Sequence, residues 1–304
     1  MKIFLYEKFE NKNNFLRIKK KYNLINLNYK KINKKKVFAI YSRFSKKLSK
    51  NYFSKFENLK TVISPTTGLN HIDIDYCNKE KIKIINLKKD DRRLQKISST
   101  SEMALSMILT GIRKLPYFYQ NLFKLSDRYR YSIYQFRNYT VGIIGYGRIG
   151  KKLYRDLKSL NFRVFFFDID KKLKKKGGYL SLQKLLKRSD VISLNMSYNE
   201  VYFNYFDKKL LNVCKKNFIL VNTARGELIN EHDLLHFLKK NKNSAAYLDV
   251  IQNETTNYNK NILYKYSKQN KNLYITPHLG GSTNDALKET EDVVINDFLK
   301  QKNK

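Results

Sequence analysis

The sequence predicts an α/β protein with two domains, each built on a parallel sheet. A chain of 304 residues exceeds the usual size of a single core, so its length favours two domains or one large α/β domain. Short apolar runs alternate with polar helical stretches along the chain, which is the pattern of strands joined by crossover helices. With 42% hydrophobic and 14% aromatic residues, the chain can bury such cores despite a charged content of 29%.

The first alternation covers residues 1–97. Its predicted strands are "KIFL" at the start, "VFAIY" (37–41), "KTVIS" (60–64) and "IKIINL" (82–87). The stretches "FSKKLSKNYFSKF" and "HIDIDYCNKEK" suit surface helices between them. The segment "SSTSEMALSMILTGIRKL" (98–115) opens with hydroxyl residues that can cap a helix, carries a Glu in its first turn, and predicts a long buried helix.

A second alternation begins at "TVGIIGYGRIG". Its later strands are "RVFFFD" (163–168), "VISL" (191–194), "FILVNTA" (218–224), "AAYLDV" (245–250) and "LYITPH" (273–278). The segment "NEHDLLHFLKKN" predicts a helix capped by Asn230. Two successive series imply two α/β domains with a boundary near residue 97. We expect the last helix, "TNDALKETEDVVINDFLKQKNK", to return to the first domain, which gives 1–97 with 283–304 and 98–282 as the two domains.

The formal net charge of +36 is extreme, and such a charge suggests nucleic acid or an anionic membrane as a partner. Lysine accounts for most of it, with 49 Lys against 13 Arg, and the lysines are scattered. A nucleic-acid groove would concentrate arginine and aromatic residues on one face, whereas compositional drift towards A/T-rich codons scatters lysine. We therefore favour drift, and expect the densest run, "RIKKKYNLINLNYKKINKKK" (17–36), to be a solvated surface.

The two cysteines and the absence of apolar segments bear on the compartment. Cys77 and Cys214 are far apart and lack metal or disulfide spacing, so we expect buried reduced thiols. The start "MKIFLYEKFENK" is too short an apolar stretch for a signal peptide, and no run approaches the roughly 20 apolar residues that span a bilayer. We expect a cytoplasmic protein without a membrane partner.

Three glycines in "GYGRIG" predict a dinucleotide site. Gly145 can make a tight turn, Gly147 lets the backbone approach a pyrophosphate, and Gly150 allows close packing of helix and strand. An apolar strand precedes the motif, a helix follows it, and Asp168 ends the next strand 23 residues after Gly145. Asp168 would accept hydrogen bonds from the ribose and repel a 2′-phosphate, which favours NAD over NADP. The lysines of "KKLKKK" (171–176) can soften that preference, and a purely structural strand–turn–helix is the alternative.

Polar residues that follow the strands of the second series are the catalytic candidates, because ligands bind beyond the carboxyl ends of parallel strands. Arg225 follows "FILVNTA", Glu254 follows "AAYLDV" and His278 follows "LYIT". Arg225 can bind a substrate carboxylate and polarise its carbonyl, His278 can exchange the proton, and Glu254 can favour the charged imidazole. Each alone has a structural explanation, but together they meet the requirements of 2-keto acid reduction.

His232 and His236 share a helix face at a spacing found in metal sites. Neither a cysteine nor a third ligand is evident nearby. We interpret them as ordinary helix residues and expect no metal site.

Four motifs resemble those of the D-isomer-specific 2-hydroxyacid dehydrogenases, including the phosphoglycerate dehydrogenases. They are "TVGIIGYGRIG", "VNTARGELIN", "LDVIQNE" and "ITPHLGGST", and the weaker "SPTTGLNHIDID" and "STSEMAL" extend the match over nearly the whole chain. The resemblance implies two Rossmann/flavodoxin-like domains with parallel sheets, a substrate domain and an NAD-binding domain with a cleft between them. It also implies Arg225, Glu254 and His278 as catalytic residues and a homodimer formed through the NAD domain.

The resemblance also assigns binding residues one by one. Arg148 and Ile149 would meet the pyrophosphate and Asp168 the ribose. Thr223 and Asp249 would meet the nicotinamide amide, and the backbone around Thr67 and Gly68 would hold the substrate carboxylate.

The sequence departs from the family at several positions. Thr255 stands where a proline commonly follows the glutamate, and Asn195 and Ser197 stand where the family has a His-x-Pro stretch. Tyr41 replaces the first arginine of an Arg-Ser-Arg run that meets substrate in phosphoglycerate dehydrogenases, and Ser42 and Arg43 remain as candidate substrate residues.

These observations lead to an NAD-dependent enzyme that interconverts a D-2-hydroxy acid and its 2-keto acid. We expect 3-phosphoglycerate as the leading substrate, with hydroxypyruvate or glyoxylate next. A different class stays open, because the same fold family includes NAD-sensing corepressors that bind the cofactor and act through partners. Nucleic-acid binding driven by the charge is a third hypothesis.

Overall fold

The computed structural model describes residues 1–29, 31–44, 46–119, 125, 132–255 and 258–301. The chain divides into two compact units, one formed by Met1–Ile97 with Ser282–Lys304 and the other by Ser98–Gly281. The end of the predicted last helix, 302–304, and Lys30 of the basic run lie outside the described residues.

The first unit holds a five-stranded parallel sheet in the order β2-β1-β3-β4-β5. Its strands are β1 (Ile3–Tyr6), β2 (Asn23–Asn26), β3 (Val37–Tyr41), β4 (Thr61–Ser64) and β5 (Lys83–Asn86). Four of them follow the predicted apolar runs. The edge strand β2 was not predicted, because it is short, is bounded by asparagines and lies among lysines. Short, charged edges of this kind prevent further strand pairing.

The first unit's helices pack on both faces of that sheet. They are α1 (Lys12–Lys19), α2 (Lys50–Phe53), α3 (Ile74–Lys79) and, from the end of the chain, α11 (Asn284–Lys300). One face packs α1 and α11 residues against the sheet, and the other packs residues from α2 and α3. The surface helix predicted over 44–56 is only one turn long, since Leu48 instead forms a backbone bridge with Ile72.

The second unit holds a six-stranded parallel sheet in the order β11-β10-β9-β8-β6-β7. Its strands are β6 (Thr140–Ile144), β7 (Arg163–Phe167), β8 (Val191–Leu194), β9 (Ile219–Asn222), β10 (Ala245–Leu248) and β11 (Leu273–Ile275). All six coincide with predicted strands. The strand order reverses between β6 and β8, so the switch point lies where β6 and β8 end.

The second unit's helices also cover both faces of its sheet. They are α4 (Ser99–Ile112), α5 (Leu115–Tyr119), α6 (Arg148–Ser159), α7 (Leu182–Arg188), α8 (Lys208–Leu211), α9 (Glu231–Lys240) and α10 (Ile262–Ser267). One apolar cluster joins α4 and α6 to the sheet, and a second joins α7, α8, α9 and α10 to the opposite face. Two parallel-sheet α/β domains were predicted, and the structure confirms that class.

Helix capping follows the prediction at one helix and departs from it at another. Asn230 caps α9, since its Oδ1 accepts the N–H of Asp233 at 3.1 Å. Ser98 precedes α4 but makes no side-chain cap. Its hydroxyl instead donates to Glu102 Oε1 at 2.5 Å, so the predicted hydroxyl cap at this position is wrong.

The basic run 17–36 is only partly the solvated surface that we predicted. Its described lysines and arginine are exposed, but Ile18, Tyr22 and Leu27 are buried in the first unit. These three residues were not predicted to be buried, because the lysines between them obscure the apolar pattern. The predicted buried, free state of Cys77 and Cys214 is confirmed.

Candidate active site

The glycine motif forms a close turn between β6 and α6. Gly145 has a φ of +98°, which favours glycine, and a Cβ there would come within 2.6 Å of the backbone nitrogen of Met196. A Cβ on Gly150 would collide with the carbonyl oxygen of Gly145. At Gly147, by contrast, a Cβ would meet nothing within 4 Å. The turn is therefore closely packed at Gly145 and Gly150, and it is open at Gly147, the residue that precedes α6.

The open residue lies at a helix N-terminus. Gly147 caps α6 with no side-chain hydrogen bond, and the helix begins at Arg148. Backbone N–H groups at such a terminus favour an anion. Arg148 and Ile149, the predicted pyrophosphate residues, are both half-buried in this first turn, and burial lowers the pKa of Arg148. The structure thus gathers the predicted phosphate residues at one place.

Asp168 follows β7 beside the same turn. Its Oδ2 accepts the N–H of Tyr146 at 2.6 Å, and its Oδ1 accepts the N–H of Asp170 at 2.9 Å. The carboxylate therefore ties the glycine turn to the end of β7. Because a carboxylate has about four acceptor positions and these two hydrogen bonds use only two, Asp168 can still accept hydrogen bonds from ribose hydroxyls.

Two buried polar atoms at the neighbouring strand ends have no hydrogen-bond partner among the described residues. They are Thr223 Oγ1 after β9 and Asn195 Oδ1 after β8. The amide of Asn195 has its orientation fixed, since Nδ2 donates to the carbonyl oxygen of Ser193 at 3.1 Å and to its hydroxyl at 2.9 Å. An unmet buried polar atom is costly, and NAD offers hydroxyl and carboxamide donors. The open turn and these two atoms fit a dinucleotide.

Asp249 organises the loop that carries His278. Its Oδ1 accepts the Thr276 hydroxyl at 2.5 Å and the N–H of Leu279 at 2.7 Å, while Oδ2 accepts the N–H of Gly280 at 2.7 Å. Asp249 is buried, and its own carbonyl accepts the N–H of His278 at 2.9 Å. The contact predicted between Asp249 and the nicotinamide amide stays a prediction, and holding this loop is a role that the sequence analysis missed.

His278 and Glu254 form a hydrogen-bonded pair in the site. Nδ1 of His278 lies 2.6 Å from Oε1 of Glu254, and their side chains are 26% and 22% exposed. His278 has a φ of +55°, an uncommon value for a residue with a side chain, and one that is concentrated at functional sites. The loop held by Asp249 maintains this conformation.

Arg225 is the third of the predicted catalytic residues. It is half-buried after β9, where Nη1 donates to the carbonyl of Ala224 at 2.6 Å. Burial lowers the pKa of Arg225, and the nearby carboxylates of Glu254 and Glu227 oppose that effect. Glu254 is therefore within electrostatic reach of both His278 and Arg225, so the structure brings together the three residues predicted from separate strands.

Gly226 and Asn222 allow the loop after β9, which carries Arg225, to contact the loop after β10, which carries Glu254. A Cβ at Gly226 would collide with the carbonyl group of Ile251, so the two backbones touch. The amide of Asn222 donates to the carbonyl of Arg225 at 2.8 Å and accepts the N–H of Ala224 at 3.0 Å, which shapes the turn. Neither residue was predicted, although a glycine directly after a candidate arginine is a signal for close backbone approach.

The predicted substrate residues lie in the first unit. Ser42 is fully buried, and its hydroxyl donates to Glu7 Oε2 at 2.7 Å. The guanidinium of Arg43 donates to the carbonyl of Leu287 at 2.6 Å. Thr67 is exposed and Gly68 is half-buried in the loop after β4. Their substrate roles stay predictions.

Tyr41, which replaces an arginine of the resembling enzymes, belongs to the core. It is fully buried and its hydroxyl donates to Glu291 Oε2 at 3.1 Å. Burial raises the pKa of Tyr41 well above its usual range. A protonated phenol is neutral, so Tyr41 does not supply the positive charge of the arginine that it replaces.

His232 and His236 are exposed on α9. Within the described ranges, no group of three or more His, Cys, Asp or Glu side chains could hold a metal ion. None of the described helices combines the length and apolar character needed to cross a bilayer.

Comparison with known proteins decides the family. Residues 105–280 match the model of the D-isomer specific 2-hydroxyacid dehydrogenase NAD binding domain, which is more than half of the chain. The chain belongs to this family. It is accordingly an NAD-dependent oxidoreductase, as predicted from the glycine motif and the three strand-end residues.

Individual relatives of this dehydrogenase carry different names. A candidate 2-hydroxyacid dehydrogenase of Staphylococcus saprophyticus is 27% identical over 87% of this chain and 82% of its own length. The D-3-phosphoglycerate dehydrogenase of Methanocaldococcus jannaschii is 28% identical over 85% of this chain but only 48% of its own length. Among solved structures, a D-lactate dehydrogenase from Aquifex aeolicus complexed with NAD and lactic acid is 25% identical, with a TM-score of 0.77 over 98% of this chain and 94% of that chain. These names agree on the reaction class and differ in substrate.

Proposed function

We propose that the chain interconverts a D-2-hydroxy acid and its 2-keto acid, with Arg225, Glu254 and His278 as its catalytic residues. The observation that carries this proposal is the 2.6 Å contact between His278 Nδ1 and Glu254 Oε1, with Arg225 in electrostatic reach of the same carboxylate. Reduction of a 2-keto acid requires a cation for the carboxylate, a proton donor for the carbonyl oxygen and a group that keeps the donor protonated.

Each residue has a definite task in this mechanism. NAD, when bound, accepts or supplies the hydride at the substrate carbon. Arg225 binds the substrate carboxylate and polarises the adjacent carbonyl. In the reduction, Nε2 of His278 donates a proton to the carbonyl oxygen, while Nδ1–H stays hydrogen-bonded to Glu254. In the oxidation, Nε2 takes the hydroxyl proton, and the Glu254 carboxylate stabilises the resulting imidazolium.

Asp168 supports NAD as the preferred dinucleotide. Its carboxylate lies at the end of β7 beside the glycine turn, where a 2′-phosphate would meet a negative charge. Thr223 and Asn195 offer two further contacts through their unpartnered buried oxygens.

We propose 3-phosphoglycerate as the leading substrate, with hydroxypyruvate or glyoxylate next. Two observations support an anionic, phosphorylated substrate: the similarity to the Methanocaldococcus jannaschii protein, and Arg43, whose guanidinium contacts the neutral groups Leu287 O and Thr290 Oγ1. Tyr41 and Glu291 give no support, because their contact is a core hydrogen bond.

The test is a panel of 2-keto acids with both NADH and NADPH. The panel contains 3-phosphohydroxypyruvate, hydroxypyruvate, glyoxylate and pyruvate, and the rate of cofactor oxidation is followed. The proposal expects the highest kcat/KM for the phosphorylated acid with NADH. A higher value for glyoxylate or pyruvate would overturn the substrate, and a preference for NADPH would overturn the role of Asp168. Tight NADH binding without turnover of any acid would instead support an NAD-sensing protein.

We also propose a cytoplasmic homodimer that forms through the second unit. Leu115, Tyr119 and Tyr134 support it, because these large apolar side chains are 37%, 81% and 56% exposed. Light scattering on the purified chain tests it, and a monomeric mass at micromolar concentration would contradict the dimer.

A further inference from the structure

The segment that carries Glu254 connects β10 with α10, and its residues Tyr258–Lys260 form a 3-10 helix. It leaves β10 at Leu248 and continues to α10, which begins at Ile262. Glu254 must nevertheless hold a fixed position, because a hydrogen bond of 2.6 Å to His278 tolerates little displacement. Asn253, the preceding residue, has a φ of +55°, so the backbone here is constrained by its surroundings.

One buried carboxylate holds this segment at two points. Glu231, the first residue of α9, is 8% exposed. Its Oε1 accepts the N–H of Gln252 at 2.8 Å, and its Oε2 accepts Nδ2 of Asn261 at 2.7 Å. The two points lie on either side of Glu254 in the sequence, so Glu231 fixes both ends of the segment.

Gln252 and Asn261 are themselves held by further hydrogen bonds. The Gln252 amide donates to the carbonyl of Ile229 at 2.6 Å and to Oδ1 of Asn204 at 2.9 Å. The Asn261 Oδ1 caps α10 by accepting the N–H of Leu263 at 2.8 Å. A network in which these polar groups are hydrogen-bonded favours one arrangement of Gln252 and Asn261.

Glu231 occupies a site that is unfavourable for a charge. Burial raises its pKa, and the hydrogen bonds from Gln252 and Asn261 act in the opposite direction. Both of those donors are neutral amides. A buried carboxylate that accepts two such hydrogen bonds binds them more strongly than a neutral acceptor would.

We propose that Glu231 is a positioning residue that holds Gln252 and Asn261, on either side of Glu254 in the sequence, so that Glu254 meets Nδ1 of His278. This inference rests on the proposed catalytic role of Glu254. It assigns to α9 a direct part in the geometry of the site, through hydrogen bonds to a loop that comes from another strand.

A double-mutant cycle tests the inference. We expect E231A to lower kcat by about 10- to 100-fold with the KM for the keto acid unchanged within about twofold, because proton transfer depends on placement. E231Q keeps one of the two acceptors and should lie between E231A and the wild type. When E231A is added to E254Q, kcat should fall by a further factor of less than about three, since both changes act through the contact between Glu254 and His278.

The control is N272A. Asn272 is also buried in the second unit and makes two side-chain hydrogen bonds, from Tyr266 at 3.1 Å and to the carbonyl of Leu238 at 3.1 Å. It lies at the start of β11, at the opposite end of the strand from His278. N272A should lower Tm as E231A does, but leave kcat unchanged, and fluorescence titration with NADH reports that each variant is folded.

Three outcomes separate the possible failures. If E254Q lowers kcat while E231A and E231Q retain wild-type kcat, or if E231A lowers kcat equally in both backgrounds, the positioning role is wrong. If E254Q itself retains wild-type turnover, the proposed function of Glu254 fails before the question about Glu231 arises.

Discussion

His278 Nδ1 lies 2.6 Å from Glu254 Oε1, although the two residues follow different strands. His278 adopts a left-handed backbone conformation there, with a φ of +55°. Asp249 holds the surrounding loop by three hydrogen bonds, so the imidazole ring is presented with Nδ1 towards the carboxylate. This fixed pair is the basis of the first prediction.

H278Q should lower kcat by about 10²- to 10⁴-fold, which is the usual contribution of a general acid or base. The Kd for NADH should stay within about twofold of the wild-type value, because the substitution removes the proton donor and leaves the glycine turn intact. Steady-state rates and NADH fluorescence measure the two quantities. H236Q, which changes an exposed histidine of α9, is the matched control, and undiminished turnover of H278Q would rule out the proposed proton donor.

R225K should raise the KM for the keto acid by about 10- to 100-fold. Lysine keeps the charge but loses the two parallel N–H donors that match a carboxylate, a loss of roughly 1.5–3 kcal/mol. The measurement is the dependence of rate on keto acid concentration at saturating NADH. R188K, at an exposed position of α7, should leave KM unchanged. An unaltered KM in R225K would mean that another group binds the carboxylate.

T223V should weaken NADH binding by about three- to tenfold while the Tm of the protein without cofactor stays the same or rises. Oγ1 of Thr223 is buried and has no hydrogen-bond partner in the described part of the chain, so replacing the hydroxyl by a methyl removes a polar atom whose burial costs about 1–3 kcal/mol. T290V is the contrasting control, since that hydroxyl donates to Ala286 O at 2.7 Å. A lower Tm with unchanged NADH affinity in T223V would show that this hydroxyl serves the fold alone.

Cys77 and Cys214 should react slowly with a thiol reagent in the native protein. Burial raises the pKa of Cys77 to about 11 and that of Cys214 to about 12, so at about pH 8 only about one thiol in 10³ to 10⁴ is the reactive thiolate. Labelling should be slow at this pH, should quicken as the pH rises, and should reach two thiols per chain on denaturation. Rapid labelling of either cysteine in the native protein would contradict its burial.

The sequence was sufficient to predict the fold class and the candidate catalytic residues that follow the strands of the second unit. Apolar runs gave all six strands of the second unit, and strand ends in a parallel sheet meet at one edge, so Arg225, Glu254 and His278 could be selected together. The edge strand at Asn23–Asn26 could not be found this way, because its four residues lack a buried face and lie among lysines.

Contacts between loops explain what could not be predicted. Glu231 was unremarkable in the sequence, since its two partners lie 21 and 30 positions away and are joined to it only by the packing of α9. The backbone contact at Gly226 and the loop-holding role of Asp249 depend in the same way on which strands are neighbours. Hydrophobic periodicity identifies elements, but it does not specify hydrogen bonds between their loops.

Glu291 on α11 is fully buried, and it accepts hydrogen bonds from Asn14 and from Tyr41 near the other end of the chain. During synthesis on a ribosome, the second unit has all its strands before α11 has emerged. One face of the first unit's sheet, which α1 covers only in part, therefore lacks its contacts with α11 until the whole second unit has been translated. The part of that face that packs against α11 is therefore apolar surface that the nascent chain exposes until α11 is made, and molecular chaperones bind surfaces of this kind.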